Sequence, residues 1–388
     1  MRKVSIIGAN EIKWGVLKER TFEDMAAEAG NRAIKDAGID RKAIQCIYIG
    51  NFAANETVGL NVIAAVIADA VGLPNVPGMR FENACSSGAV AFREAFLSVA
   101  HGVYDFVLVL GIEKLNTMPT LQVMDVISRG LDPSETYRGL NAPSQYAMYA
   151  RGMMKKYGLT KEMLAHVSAK SYYNGALNPC AHWYPKGPVS VEEIMEAPII
   201  AYPLGRHDCS LTTDGAAAVV LCPSEIAKNY NAKPIEIIGS GLAGETMRTA
   251  YREDFTSFGC TVRAAKMAYE MAGIGPKDVS FAEVHDCFSS TEIIDIEDLG
   301  FFPRGEGGPA TMEGRTAING EMPINASGGL KAKGHPIGST AVGQYVEITK
   351  QLREIAGPRQ VKNAEIGLSH MLGGAPSVSC IHILKKGF

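Results

Sequence analysis

The chain has 388 residues, 46% of them hydrophobic and 20% charged, with 38 Lys+Arg against 41 Asp+Glu. That apolar fraction excludes a disordered chain, the near-neutral balance excludes a nucleic-acid footprint, and the length suits two to three domains' worth of globular protein. The longest apolar stretch, Gly59 to Pro74, is interrupted by Asn61 and Asp69 and falls short of the roughly 20 apolar residues that cross a bilayer, so no membrane is involved.

The N-terminus MRKVSIIGAN has only a four-residue apolar run before Gly8, so VSIIG reads as a first strand rather than a signal peptide, and the cytoplasm is the expected location. A helix follows through Phe22, Met25, Ala26, Ala29 and Ile34, capped at Thr21 and stopped at Gly38; CIYIG at 46–50 is the next strand. GMRFENA reads as extended, and Cys85 then opens an apolar helical segment, CSSGAVAFREAF. Residues 113–205 are rich in Met, Tyr, Asn and Pro and read as an irregular insertion covering a site.

From residue 233 the plan repeats. IEIIG at 235–239 is a strand, Val262, Ala265, Ala268 and Tyr269 mark a helix stopped by Gly273, and VSFAEV is a strand again. DAGIDRKAIQCIYIGN at 36–51 aligns with MAGIGPKDVSFAEVHD at 271–286, and CSSGAVAFREAF at 85–96 with IGSTAVGQYVEI at 337–348. Internal duplication with strand–helix alternation predicts two α/β halves, 1–231 including the insertion and 232–388.

The eight cysteines include no CxxC pair, so free thiols are expected, with neither a metal site nor a redox centre. Most such thiols are small buried hydrophobes, and a catalytic reading needs local context. Cys85 has it: a helix start favours thiolate over thiol, and Ser86, Ser87 and Gly88 let a substrate approach. His335, in KAKGHPIGST just before the duplicated helix, meets Cys85 if the halves pack about a pseudo-twofold axis, where an imidazole would lower the thiol's pKa. His285 ends the strand of EVHDCF, with Asp286 beside it as a possible orienter although strand neighbours point to opposite faces. His370 ends an apolar strand in SHMLGGA, ahead of Gly373 and Gly374, whose backbone N–H groups suit an oxyanion.

NACSSG, TTDGAAAVV, HDCF, GGLKAKGHPIGST and SHMLGGA, in this order over nearly the whole chain, resemble the thiolase family, and the HDCF and SHMLGG forms resemble its sterol-carrier-protein type and archaeal members. The resemblance implies two βαβαβαββ halves in a five-layered αβαβα sandwich with an inserted loop domain. It implies Cys85 as acyl-accepting nucleophile, His335 as its activator and His285 at the oxyanion site. Where many thiolases carry a second cysteine this chain aligns His370, which then either takes over the acid/base task or orients another group. Ser210 and Met148 align with residues that contact the pantetheine arm and the acyl pocket.

The implied activity is acetyl-CoA C-acetyltransferase, forming acetoacetyl-CoA by Claisen condensation for hydroxymethylglutaryl-CoA and isoprenoid synthesis. Coenzyme A thioesters are its substrates and no cofactor is tightly bound. Implied partners are further copies of the chain, as dimer or tetramer, with a hydroxymethylglutaryl-CoA synthase and a small zinc-ribbon/OB-fold protein. Degradative thiolysis of longer 3-ketoacyl-CoA, acyl-CoA hydrolysis and a non-catalytic acyl-CoA-binding scaffold are the competing readings.

Overall fold

The computed structural model describes all 388 residues. The first half runs β1 (Val4–Glu11), α1 (Phe22–Ala37), β2 (Cys46–Gly50), α2 (Ile63–Val71), β3 (Gly78–Phe81), α3 (Ser87–Ala100) and β4 (Val107–Glu113). The Thr21 hydroxyl accepts from the Asp24 N–H at the start of α1, and Gly38 closes it at φ 68°, the left-handed region that glycine enters at least cost.

The insertion differs from the expectation, because it is largely helical. It holds α4 (Thr120–Ser128), α5 (Ala142–Tyr157), α6 (Lys161–Ala176) and a small hairpin of β5 (Ile199–Ala201) and β6 (Leu204–Gly205). Its Asn and Pro residues suggest loops, yet Asn141 and Ser144 form a reciprocal cap on α5 with Pro143 in the first turn, and Thr160 caps α6. These residue types serve helix starts as well as turns.

The chain then returns through β7 (Gly215–Pro223) and repeats: β8 (Ile235–Gly244), α7 (Gly259–Ala272), β9 (Phe281–Glu283), α8 (Ser289–Asp298), α9 (Thr340–Leu352), β10 (Ile366–Gly373) and β11 (Val378–Lys386). Strand order is β3-β2-β4-β7-β1-β8-β11-β10-β9, so each half carries the same order read outward from the antiparallel β1–β8 pair. The second counterpart of β3 is only a parallel bridge of Ile324 to Ala282. Pro323 has no N–H to donate and Asn325 turns left-handed at φ 57°, so a ladder cannot extend there.

Helices α3 and α9 lie between the two half-sheets: α3 packs on β2 and β4, while α9 packs on β7 and β1 and also on β10. Phe92 of α3 stacks on Tyr345 of α9 with ring centroids 3.9 Å apart. With α1 on the outer face of β1 and β7, and α7 on that of β8 and β11, the layers run αβαβα. The packing that buries α3 and α9 brings their N-termini together at one point.

Candidate active site

Cys85 occupies the tight turn between β3 and α3, where Ala84 adopts φ 47°. Its Sγ is 3.3 Å from His335 Nε2. His335 Nδ1 is 2.7 Å from the Thr340 hydroxyl oxygen, and that hydroxyl donates in turn to the Pro336 carbonyl at 3.0 Å. Since its proton is committed, Thr340 can only accept from His335 Nδ1–H, which leaves Nε2 as the acceptor facing the thiol.

Burial drives the charge state. His335 is depressed to about 4 by burial, opposed in part by Asp286. Cys85 is pushed up to about 12 by burial and by the Glu113 and Glu82 carboxylates. The helix start therefore does not produce a resting thiolate, because its partial charge is outweighed by desolvation and two nearby carboxylates. The resting pair is thiol and neutral imidazole.

His285 lies beyond the end of β9, 1% exposed, with its ring edge-on to His335 at 5.4 Å between centroids. One donor atom from each of Cys85, His285 and His335 lies within 4.8 Å of the others. His285 Nδ1 is buried without a hydrogen-bond partner, and burial, His335, His370 and Lys331 hold its pKa well below the usual imidazole range. Asp286 does not orient it: its carboxylate pairs with Lys331 Nζ at 2.7 Å and accepts from the Leu330 N–H at 2.7 Å. Segment 209–213 ties these loops together, with Ser210 N–H donating to the Cys287 carbonyl at 2.9 Å and the His335 N–H to the Leu211 carbonyl at 3.3 Å.

Cys85, His285, His335, Ser210 and Gly374 line one cavity of about 600 Å³. Gly374 takes φ 63°, and Gly373 packs against Asn83 and Ser86, where any side chain would displace the Cys85 turn. Three expected residues do not line the cavity: Gly373, which ends β10 under the Cys85 turn, His370 and Met148. His370, fully buried on β10, bonds Thr261 Oγ1 through Nε2 at 3.0 Å, with Nδ1 3.5 Å from Asp295, so it does not reach the cavity. Strand alternation turns it toward α7 and α8, which leaves orientation rather than proton transfer to substrate as its available task. Met148 is 37% exposed and borders a separate pocket with Glu135 and Arg138. Tyr146 faces the main cavity, and two residues along an α-helix is about 200°, the opposite side.

Three contributors escape the sequence reading. Cys287 lines the cavity with its thiol pushed well up by burial and by Cys85. The HDCF spacing held the signal, since residues two apart in extended chain share a side: His285 and Cys287 face the cavity while Asp286 faces Lys331. Lys186 and Arg206, like Glu193 and Ile200, also border the cavity. They are too far apart in sequence to read as a basic cluster. All eight cysteines are unpaired.

Two family models match: thiolase, N-terminal domain, over residues 4–225 and thiolase C-terminal domain-like over 241–386. The chain is similar to an acetyl-CoA acetyltransferase of Methanothermobacter thermautotrophicus, 42% identical with all of both chains covered. It is also similar to sterol carrier protein 2 of Bos taurus, 32% identical over all of this chain and 73% of that protein. The solved Ltp2-ChsH2(DUF35) aldolase shares the fold at TM-score 0.85 and 23% identity, covering 99% of this chain and 98% of that one. With both halves matched and the thiol–imidazole pair in place, the chain belongs to the thiolase family, acyltransferases that act on coenzyme A thioesters.

Proposed function

We propose that the protein is an acetyl-CoA C-acetyltransferase that condenses two acetyl-CoA to acetoacetyl-CoA. The observation that carries this reading is the Cys85–His335 contact of 3.3 Å at the floor of a cavity shared with His285 and Cys287. Cys85 attacks the thioester as its proton passes to His335 Nε2. The oxyanion is held by backbone N–H groups at Cys85 and Gly374, and coenzyme A leaves as thiolate, taking a proton from Cys287.

The Cys287 thiolate then removes the α-proton of a second acetyl-CoA, whose enolate oxygen faces protonated His335 and His285. Carbon attacks the acyl-Cys85, and the expelled Cys85 thiolate recovers its proton from His335. Atoms and charge balance, Cys287 ending as thiol. His370 holds β10, the strand that leads to Gly374 beside the cavity. Lys186 and Arg206 supply cations for the phosphates of coenzyme A, with Ser210 along the pantetheine arm.

The two halves divide at about residue 231. The protein works in the cytoplasm as a dimer or tetramer, beside a hydroxymethylglutaryl-CoA synthase that removes the product for isoprenoid synthesis and a small zinc-ribbon/OB-fold protein. Ile199, Ile200 and Tyr202 are exposed and Ile200 borders the cavity, which supports docking there.

Incubation with acetyl-CoA should add one acetyl mass to the Cys85 peptide, and Cys85→Ala should abolish it. Cys287→Ala should still acetylate Cys85, more slowly because the leaving coenzyme A loses its proton donor, yet form no acetoacetyl-CoA. Acetylation confined to another cysteine overturns the assignment, and full condensation by Cys287→Ala overturns the role of the second thiol.

A further inference from the structure

The same cluster has a donor chemistry that acyl transfer does not use. One atom each from Cys85, His285 and His335 lies within 4.8 Å of the others, and all three flank open cavity space. A tetrahedral zinc ion binds sulfur at about 2.3 Å and imidazole nitrogen at about 2.0–2.1 Å, which sets its donors roughly 3.3–3.6 Å apart. The Cys85 Sγ to His335 Nε2 distance of 3.3 Å already meets that spacing, and with all three donors within 4.8 Å of one another the His285 nitrogen has to close by no more than roughly 1.5 Å.

His335 is prepared as a ligand. Its Nδ1 is fixed on Thr340 Oγ1 at 2.7 Å, the outer contact that orients a metal-bound imidazole, and its Nε2 lone pair points at the thiol. Three protein ligands with a fourth position open to the cavity form the arrangement of an accessible zinc site rather than a closed structural one.

We propose that Cys85, His285 and His335 form a three-ligand site for a thiophilic divalent cation, Zn²⁺ or Cd²⁺, and that the cation and the acyl group exclude one another at Cys85. The exclusion rests on the acyl-Cys85 reading above. On binding, the Cys85 S–H bond breaks, the metal–sulfur bond forms and the proton goes to buffer, with no change of oxidation state. An acylated Cys85 has no thiolate to offer, so substrate protects against the metal and the metal blocks the first acylation.

The test titrates the metal-free full-length protein with Cd²⁺ and reads the ultraviolet thiolate-to-cadmium charge-transfer band, with Zn²⁺ calorimetry alongside. One tight equivalent is expected, lost in Cys85→Ala and lost again when Cys85 is first acetylated, the modification being verified by mass. His285→Asn and Thr340→Val should each weaken binding about 10–100-fold while leaving one equivalent. Binding to other thiols only, seen as the same tight equivalent in Cys85→Ala, overturns the proposal. So does equal affinity in His285→Asn. The cadmium titration needs no turnover, so a protein that binds the cation but never acetylates refutes the acyl-enzyme reading alone, and one that acetylates without a tight cation refutes this site alone.

Discussion

Lys331→Met is the most direct test of how the His285–Cys287 segment is held. Lys331 Nζ and Asp286 Oδ2 are 2.7 Å apart, and neither side chain has any solvent exposure. At an effective dielectric of about 20 their attraction is about 6 kcal/mol, a gain that removal of two ions from water largely cancels. Burial pulls the Lys331 pKa down, but Asp286 and Glu292 outweigh it and leave it raised, so the ammonium stays charged. Removing the ammonium alone strands a buried carboxylate whose other neighbour is the Leu330 N–H, and the expected loss is about 3–5 kcal/mol. The double variant Asp286→Asn/Lys331→Met removes both charges, keeps an acceptor for Leu330 and should recover at least half of that loss. Urea unfolding followed by tryptophan fluorescence measures both. Because Asp286 sits between His285 and Cys287, condensation by Lys331→Met should fall further than its folded fraction. A loss under about 1 kcal/mol, or a double variant no more stable than the single, refutes the reasoning.

Three further outcomes follow from the geometry. A Cβ at Gly338 would lie 2.5 Å from Asn51 Cα and 2.7 Å from the Gly50 carbonyl, so Gly338→Ala should cost about 1–3 kcal/mol and slow Cys85 acetylation about 100-fold through the shifted His335 loop; an unchanged acetylation rate in rapid-quench mass spectrometry counts against it. With the thiol at about 12 and the imidazole at about 4, iodoacetamide modification of Cys85 should keep rising with pH through the alkaline range; a plateau at neutral pH would reveal a thiolate–imidazolium pair instead. His370 stays neutral down to about 3 under burial, whereas an unfolded imidazole protonates near 6.5, so the unfolded chain binds the extra proton and stability falls as pH drops through that window. This single group contributes about 4–5 kcal/mol of the change, and His370→Gln should flatten the acid limb of a denaturation series; an identical slope would show that His370 is not the group responsible.

Much of the site was legible because its residues sit at punctuation points of the chain. Cys85 precedes a helix with small residues, His335 stands in a Gly–Pro loop, and the aligned phrases at 36–51 and 271–286 announced the repeat that the palindromic strand order displays. Other features depend on the fold. The direction His370 faces follows from which side of β10 is covered by α7 and α8, and the position of Met148 from the rotation of α5; motif alignment carries neither. Lys186 and Arg206 border one cavity only because the insertion folds back on itself, so neither has a local signature. Cys287 was the avoidable omission, since period-two spacing from His285 places it on the cavity side.

The division of the site between halves explains why Cys85 rests as a thiol. Contact of Cys85 with His335 requires the starts of α3 and α9 to touch, and only residues without a side chain allow it: a Cβ at Gly88 would sit 2.7 Å from the Gly338 carbonyl. The junction is then fixed by Glu113, which accepts from the Phe52 N–H at 2.8 Å and the Gly338 N–H at 2.9 Å through one oxygen, and from Asn51 Nδ2 at 2.9 Å and the Ala53 N–H at 3.1 Å through the other. Burial raises that carboxyl to about 7, opposed by the Phe52, Ala53 and Gly338 N–H groups. Its negative charge adds to the burial that holds the thiol at about 12. The carboxyl that fixes the Cys85 turn therefore opposes ionisation of the thiol it positions. On the proposed acyl-transfer reading, the proton would leave Cys85 as the thioester carbonyl arrives to accept the sulfur's charge, which couples ionisation to substrate.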